Sequence, residues 1–298
     1  MYHIAVEGLE ILYIVIGPHC FFFSNLPSKW LQSKTGNRLN AFIAPPTTAP
    51  PSPTFKVKIV NVIEHPPLQS FKRIRKTLYF NDIPAHRYFY ITDDMKSVVN
   101  WDSRELKIEI FPHPTDSELD EMGKILIQLR LLTSYLSVSE NGLPLHCSGV
   151  HKNGSALVFF GTSGAGKSTI AHLMQHSGWN LLNDEYNLIL PIGDTYRIFS
   201  TPFSRKEYCC VNHPSGITIS GMFHLNHEDF LVEQIPPELQ MRLLFQSVYM
   251  FPDYSRFNSQ LLETIDAIRS KTVVQRLHFR NDAATATLLE NHCEATCL

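Results

Sequence analysis

The run "GTSGAGKS", Gly161 to Ser168, puts three glycines, a lysine and three hydroxyls into eight residues. It fits the Walker A spacing G-x-x-x-x-G-K-[ST] without a mismatch, which is a pattern for holding phosphate. Gly161, Gly164 and Gly166, with the small residues Thr162, Ser163 and Ala165 between them, let backbone N–H groups turn inward around phosphate oxygens. A helix that opens at Lys167, Ser168 and Thr169 would add the positive end of its dipole. Lys167 supplies a mobile positive charge for β- and γ-phosphates, and the Ser168 hydroxyl suits Mg²⁺. The ligands implied are a nucleotide such as ATP and its Mg²⁺.

Two neighbours bear on what happens to that phosphate. "LLNDE", Leu181 to Glu185, follows the loop after one helix and one short strand. Asp184 and Glu185 should lie at the C-terminal end of that strand, the edge where α/β sheets bind ligands. Motor and transporter ATPases put this acid much further along the chain. A near acid is typical of kinases that hand phosphate to a bound acceptor, with one carboxylate on Mg²⁺ and another taking the proton of the acceptor's hydroxyl. Upstream, "HKNGSA" contains Asn153-Gly154, a strong hairpin signal. With those two residues as the loop, Lys152 faces Ser155, and the register carried back sets His146 opposite Gly161. His146 could then touch the γ-phosphate or the acceptor, or be a half-buried histidine bonded to backbone. His151, near the turn, receives only the structural reading.

Those side chains need elements to carry them. "ALVFF" ahead of the loop reads as a strand, and "STIAHLMQHSG" after it as a helix closed by Gly178. Further on, helices are expected near Pro237 to Phe251 and Ser259 to Ser270. A strand near Val273 to Phe279 and a last helix near Asp282 to His292 follow. Upstream, "TDSELDEMGKILIQLRLLTSYLS" reads as a helix, with Thr115 and Glu118 as a capping box and leucines at helical spacing. The N-terminal part reads as β: strands within Ile11 to Phe23, the alternating "FKVKIVNVIE" from Phe55, and stretches at Tyr79 to Thr92 and Leu106 to Phe111. Between them "APPTTAPPSPT", Ala44 to Thr54, holds five prolines in eleven residues and reads as an exposed loop or spacer. The expected organisation is a small β-rich domain over 1–112 and an α/β domain over 113–298.

The 298 residues allow ample core, and 44% hydrophobic with 18% charged residues is ordinary for a globular protein. A net charge of −2 argues against a surface built for bare nucleic acid. The greasy run Ile11 to Phe23 is interrupted at Gly17-Pro18-His19 and falls short of the roughly 20 residues that span a bilayer. It lacks the basic flank of a signal peptide. The six cysteines form no C-x-x-C pair, so reduced thiols in the cytoplasm are expected. His292, Cys293 and Cys297 lack further ligands at metal-site spacing and read as a tail with spare thiols.

Taken as a block, "LHCSGV…GSALVFFGTSGAGKSTIAHLMQHSGWNLLNDE" resembles the catalytic domain of HPr kinase/phosphorylase, of the phosphoenolpyruvate carboxykinase superfamily. The likeness is good from Leu145 to Glu185 and looser towards Phe279. It implies a P-loop kinase core of mixed sheets and ATP with Mg²⁺. It also implies Asp184 as the base acting on an acceptor serine, His146 assisting at the phosphate, and Glu185 at the place of a second aspartate. The family's later E-x-R-G signature is absent. "TPFSRKEY", Thr201 to Tyr208, more resembles stand-alone HPr kinase-like proteins such as lasso-peptide precursor kinases. That likeness implies Glu207 as a third carboxylate, with Ser168 and Glu185 at the metal, and Arg205 as a phosphate contact. An exposed charged loop accounts for Arg205 and Glu207 equally well. The resemblance carries over neither the HPr substrate nor a phosphorylase activity. Relatives of this fold often form rings, so a homo-oligomer is compatible with it.

The leading expectation is therefore a serine kinase acting on a peptide or protein. A small-molecule kinase of the shikimate or adenylylsulfate type also pairs a Walker A loop with a near aspartate. A nucleotide-dependent peptide-binding module without catalysis is the third reading.

Overall fold

The computed structural model describes residues 9–33, 35–44, 55–61, 72–75, 78–83, 86–92, 95–110, 121–204, 211–249 and 257–295. The chain divides into two compact units, Met1–Thr133 and Ser134–Leu298. The capping box at Thr115 and Glu118, the prolines from Pro45 to Pro53, Arg205, Glu207 and Cys297 lie outside the described residues.

The first unit is built on one eight-stranded mixed sheet. Its strands are β1 (Leu9–Ile16), β2 (His19–Pro27), β3 (Phe55–Asn61), β4 (Lys72–Arg75), β5 (Leu78–Ile83), β6 (His86–Thr92), β7 (Met95–Asn100) and β8 (Glu105–Ile110). Gly17 at φ 60° and Pro18 make the turn between β1 and β2, which is why the apolar run splits into a hairpin. β3 pairs parallel to β2 and to β8, and the remaining pairs are antiparallel. Along β3 the buried Phe55, Val57 and Ile59 alternate with exposed lysines, the period of a strand with one face in the core. A four-residue helix α1 (Ser28–Leu31) and a 3₁₀ turn (Gly36–Phe42) follow β2. The helix α2 (Glu121–Ser139) carries buried Met122, Ile125, Leu129 and Leu136, and the division between the units falls within it.

The second unit is a nine-stranded mixed sheet with helices. In order come β9 (Leu143–Leu145), β10 (Cys147–Lys152), β11 (Ser155–Phe160), α3 (Lys167–His176), β12 (Asn180–Asn183), β13 (Asn187–Ile192), β14 (Thr195–Phe199), β15 (Ile217–His227), β16 (Leu231–Gln234), α4 (Pro237–Ser247), α5 (Asn258–Lys271), β17 (Val273–Phe279) and α6 (Ala284–Ala295). The hairpin β10–β11 turns at Asn153 (φ 53°) and Gly154 (φ 81°), both left-handed as a type I′ turn demands. Its register runs from Lys152 opposite Ser155 to Cys147 opposite Phe160. β11, β15 and β17 are parallel neighbours, and β12 pairs antiparallel with β10 on the far side. Since β10 is itself antiparallel to β11, β12 points the same way as β11. The C-terminal ends of β12, β11, β15 and β17 thus share one edge. α3 and α6 cover one face, where Ile170, Met174, Phe223, Leu225, Phe279 and Leu289 form the apolar core.

α4 stops at Ser247, where Val248 turns to extended backbone and bridges Leu145; Phe251, the expected end of this helix, lies outside the described residues. Sequence periodicity missed β4, β7, the β13–β14 meander, β16 and the eleven-residue β15. No helix among the described residues is long and apolar enough to cross a membrane.

Candidate functional site

The loop between β11 and α3 takes its shape from its glycines. Gly164 and Gly166 have φ of 82° and 89°, and Gly166 is the residue that enters α3. A Cβ on Gly166 would lie 2.7 Å from the Phe279 ring and 3.0 Å from His227, so both the dihedral and the space require glycine there. Ala165 is buried against the core and anchors the loop, while Thr162, Ser163 and Gly164 are exposed. An α-helix leaves the amides of its first turn without intrahelical partners, so the open end of α3 favours an anion. Lys167 is 8% exposed, and its ammonium donates to the carbonyls of Gly161 (2.9 Å) and Thr162 (3.0 Å). Burial lowers its pKa, and the nearby Glu185 carboxylate opposes that shift. The Cys147 thiol is itself pushed up to about 12 by burial, so it stays protonated and unreactive.

α3 ends in a Schellman motif: Gly178 (φ 85°) donates to Gln175 at 3.0 Å and Trp179 to Met174 at 3.1 Å. That turn sends β12 back along the sheet and delivers Asp184 to the loop. The Ser168 hydroxyl donates to Asp184 Oδ2 at 3.4 Å, and the Ser204 hydroxyl to Oδ1 at 3.0 Å. Asp184 is 7% exposed, and its carbonyl accepts from Ser148. Behind it, the buried Asn183 holds the turn. Its Oδ1 accepts from the amides of Glu185 (2.7 Å) and Tyr186 (3.0 Å), and its Nδ2 donates to the Thr201 carbonyl (2.7 Å). Tyr186 is fully buried, with its hydroxyl on Ser134 at 2.6 Å. The acidic pair is therefore mounted on a stiff corner.

His146 sits just before β10, outside the hairpin ladder. Its Nδ1 lies 2.8 Å from the Glu185 carbonyl, and its amide donates to Ser247. A carbonyl only accepts, so Nδ1 carries the hydrogen and Nε2 is the acceptor nitrogen of the neutral ring.

The residues from Gly161 to Thr169 thus share one loop and helix start, Asp184 meets Ser168, and Glu185 and His146 adjoin. The oxygen atoms of Ser168 and Asp184 are hard donors of the kind Mg²⁺ prefers, and this ion keeps several waters rather than filling its shell with side chains. Among the described residues, no three His, Cys, Asp or Glu side chains converge as a metal cage. Four contributors were not singled out from sequence: Ser204, Ser148, Asn183 and His227. Ser204 lies within the noted "TPFSRKEY", but nothing in its spacing tells of Asp184. The His227 ring bonds the Gly164 carbonyl at 2.9 Å across 63 positions of chain, which no local pattern encodes. No protein-family model matches this chain, and no curated protein matches it.

Proposed function

We propose that the chain is an ATP-dependent phosphotransferase with an HPr kinase-like P-loop core, moving the γ-phosphate to a serine hydroxyl of a peptide or protein. The observation that carries this reading is the Asp184 carboxylate beside Ser168, at the mouth of the glycine loop. In the proposed reaction Lys167 leaves the loop carbonyls it now bonds and turns its charge to the β- and γ-phosphates. Asp184 accepts the proton of the attacking hydroxyl and orients it, with Ser204 holding the second carboxylate oxygen. Mg²⁺, with Ser168, Glu185 and Glu207 as its proposed protein ligands, would neutralise charge on the transferring group. His146, whose Nδ1 is held by the Glu185 carbonyl, would assist at the phosphate or acceptor in this reading. The β10–β11 hairpin upstream of the loop favours this reading over a small-molecule kinase, whose chains usually start close to the P-loop.

The test is intact mass measurement of candidate peptides and proteins after incubation with the chain, ATP and Mg²⁺. The expected result is a gain of one phosphate that disappears with Asp184→Asn. Bound ATP with no transfer to any peptide or protein would instead support a small-molecule acceptor or a nucleotide-operated binding module.

A further inference from the structure

The sheet edge that holds the glycine loop also carries an open cavity of about 820 Å³ on its other side, at the ends of β15 and β17. Its size falls within the ~300–1,000 Å³ of small-molecule sites. Two of its walls are tied to the loop. The His227 ring bonds the Gly164 carbonyl at 2.9 Å and faces the Phe279 ring at 5.5 Å between centroids, tilted by 36°. These are the rings that leave no room for a side chain at Gly166. Phe279 is fully buried and only backs the ledge, so the ring faces open to a base are those of the exposed His227 and the part-buried Phe230. The polar rim is of another character. Asp229 and Arg280 form an ion pair at 2.9 Å with side chains 82% and 71% exposed. Glu228 is 64% exposed and already engaged by His278 at 3.0 Å.

We infer that this ledge is the subsite for the nucleoside half of the nucleotide, holding the base by stacking and the ribose hydroxyls by the rim carboxylates, without reading which purine is present. The inference rests on the reading of Gly161 to Ser168 as a phosphate loop. The loop lies between the two halves of the edge: Asp184 directly follows β12 on one side, and the ledge follows β15 and β17 on the other. A nucleotide whose phosphates occupy the loop has its reacting end towards Asp184 and its base towards His227. An aromatic ledge accepts any base, because every base has a π-face. Strong discrimination between bases needs desolvated polar groups that would be left unpaired by the wrong one. The charges here are exposed, and water can satisfy them whichever purine binds.

The experiment compares inorganic tripolyphosphate, ATP and GTP by calorimetry, each with Mg²⁺, on the full chain and on two variants. Asn281→Trp fills the cavity from an exposed position, and Phe230→Ala removes an aromatic wall. The expected result is ATP and GTP binding within about tenfold of each other, ATP weakened about tenfold in both variants, and tripolyphosphate unchanged. ATP binding that is equal in the full chain and both variants would place the nucleoside elsewhere and overturn the inference. So would a preference for one purine above about a hundredfold. If neither tripolyphosphate nor ATP binds the unsubstituted chain, the phosphate-loop reading fails, and this inference fails with it.

Discussion

Asp184 is held at both carboxylate oxygens, by Ser168 and Ser204, and each bond has a different expected consequence. In the proposed transfer, Asp184→Asn keeps the shape but removes the proton acceptor. Turnover should fall about 10²–10⁴-fold while the dissociation constant for ATP changes only a few-fold, read by single-turnover kinetics and calorimetry. Full turnover in that variant would remove Asp184 from the role of base. Ser204→Ala removes one hydroxyl donor from Asp184 without touching the glycine loop, so it should lower the turnover rate by a smaller factor and leave the Michaelis constant for ATP in place. Lys167→Ala belongs to the other half of the site. It removes the charge from the loop and should cost ATP binding itself, measurable by titration with a fluorescent nucleotide.

Elements deliver these residues, and their turns can be probed separately from the chemistry. Gly178 has φ 85° with no atom within 4 Å of where a Cβ would stand, so Gly178→Ala meets strain and no clash. It should destabilise by about 1 kcal/mol and leave phosphate binding intact. Gly166→Ala meets the same kind of strain and also the fully buried Phe279 ring at 2.7 Å. It should cost above about 2 kcal/mol and deform the loop, so thermal unfolding and tripolyphosphate binding should worsen together. Tripolyphosphate binding unchanged in Gly166→Ala would show that the loop does not depend on this close approach.

At the scale of the whole molecule, buried histidines link stability to pH. His19, 1% exposed at the start of β2, has its pKa lowered from 6.5 to about 4 by burial. The unfolded chain binds this proton at the higher pH, and the folded chain only at the lower. The stability that neutral His19 allows is therefore present above pH 6.5 and is lost as pH falls towards about 4, on the order of 3 kcal/mol if the whole shift is realised. His151 and His213, whose Nε2 atoms lie 3.1 Å apart, are both shifted down by burial and add to the same trend. Urea midpoints measured from pH 7 to pH 4 should fall steadily, and less steeply in His19→Phe. Equal slopes in the two proteins would exclude His19 as a contributor.

Much of the local structure is legible in the sequence, because it is written in short-range chemistry. The positive dihedrals of Asn153, Gly154, Gly164, Gly166 and Gly178 need residues that tolerate them, and these stand in the sequence as turn and cap signals. The hairpin register follows from a two-residue loop and the strand period alone, and it was met from Lys152–Ser155 to Cys147–Phe160. The return of Asp184 towards the loop was legible too, since one helix and one strand leave few places for it to go. What the tertiary structure alone decided are the partners brought in from afar. Ser204 reaches Asp184 from beyond two strands, and His227 reaches Gly164 from the end of β15. The order β12-β10-β11-β15 along the sheet sets acids on one side of the loop and an aromatic ledge on the other. Propensity and period act over one turn or one strand. Strand order and side-chain meetings across the sheet come from burying the apolar faces of many elements at once, which no single stretch of sequence encodes.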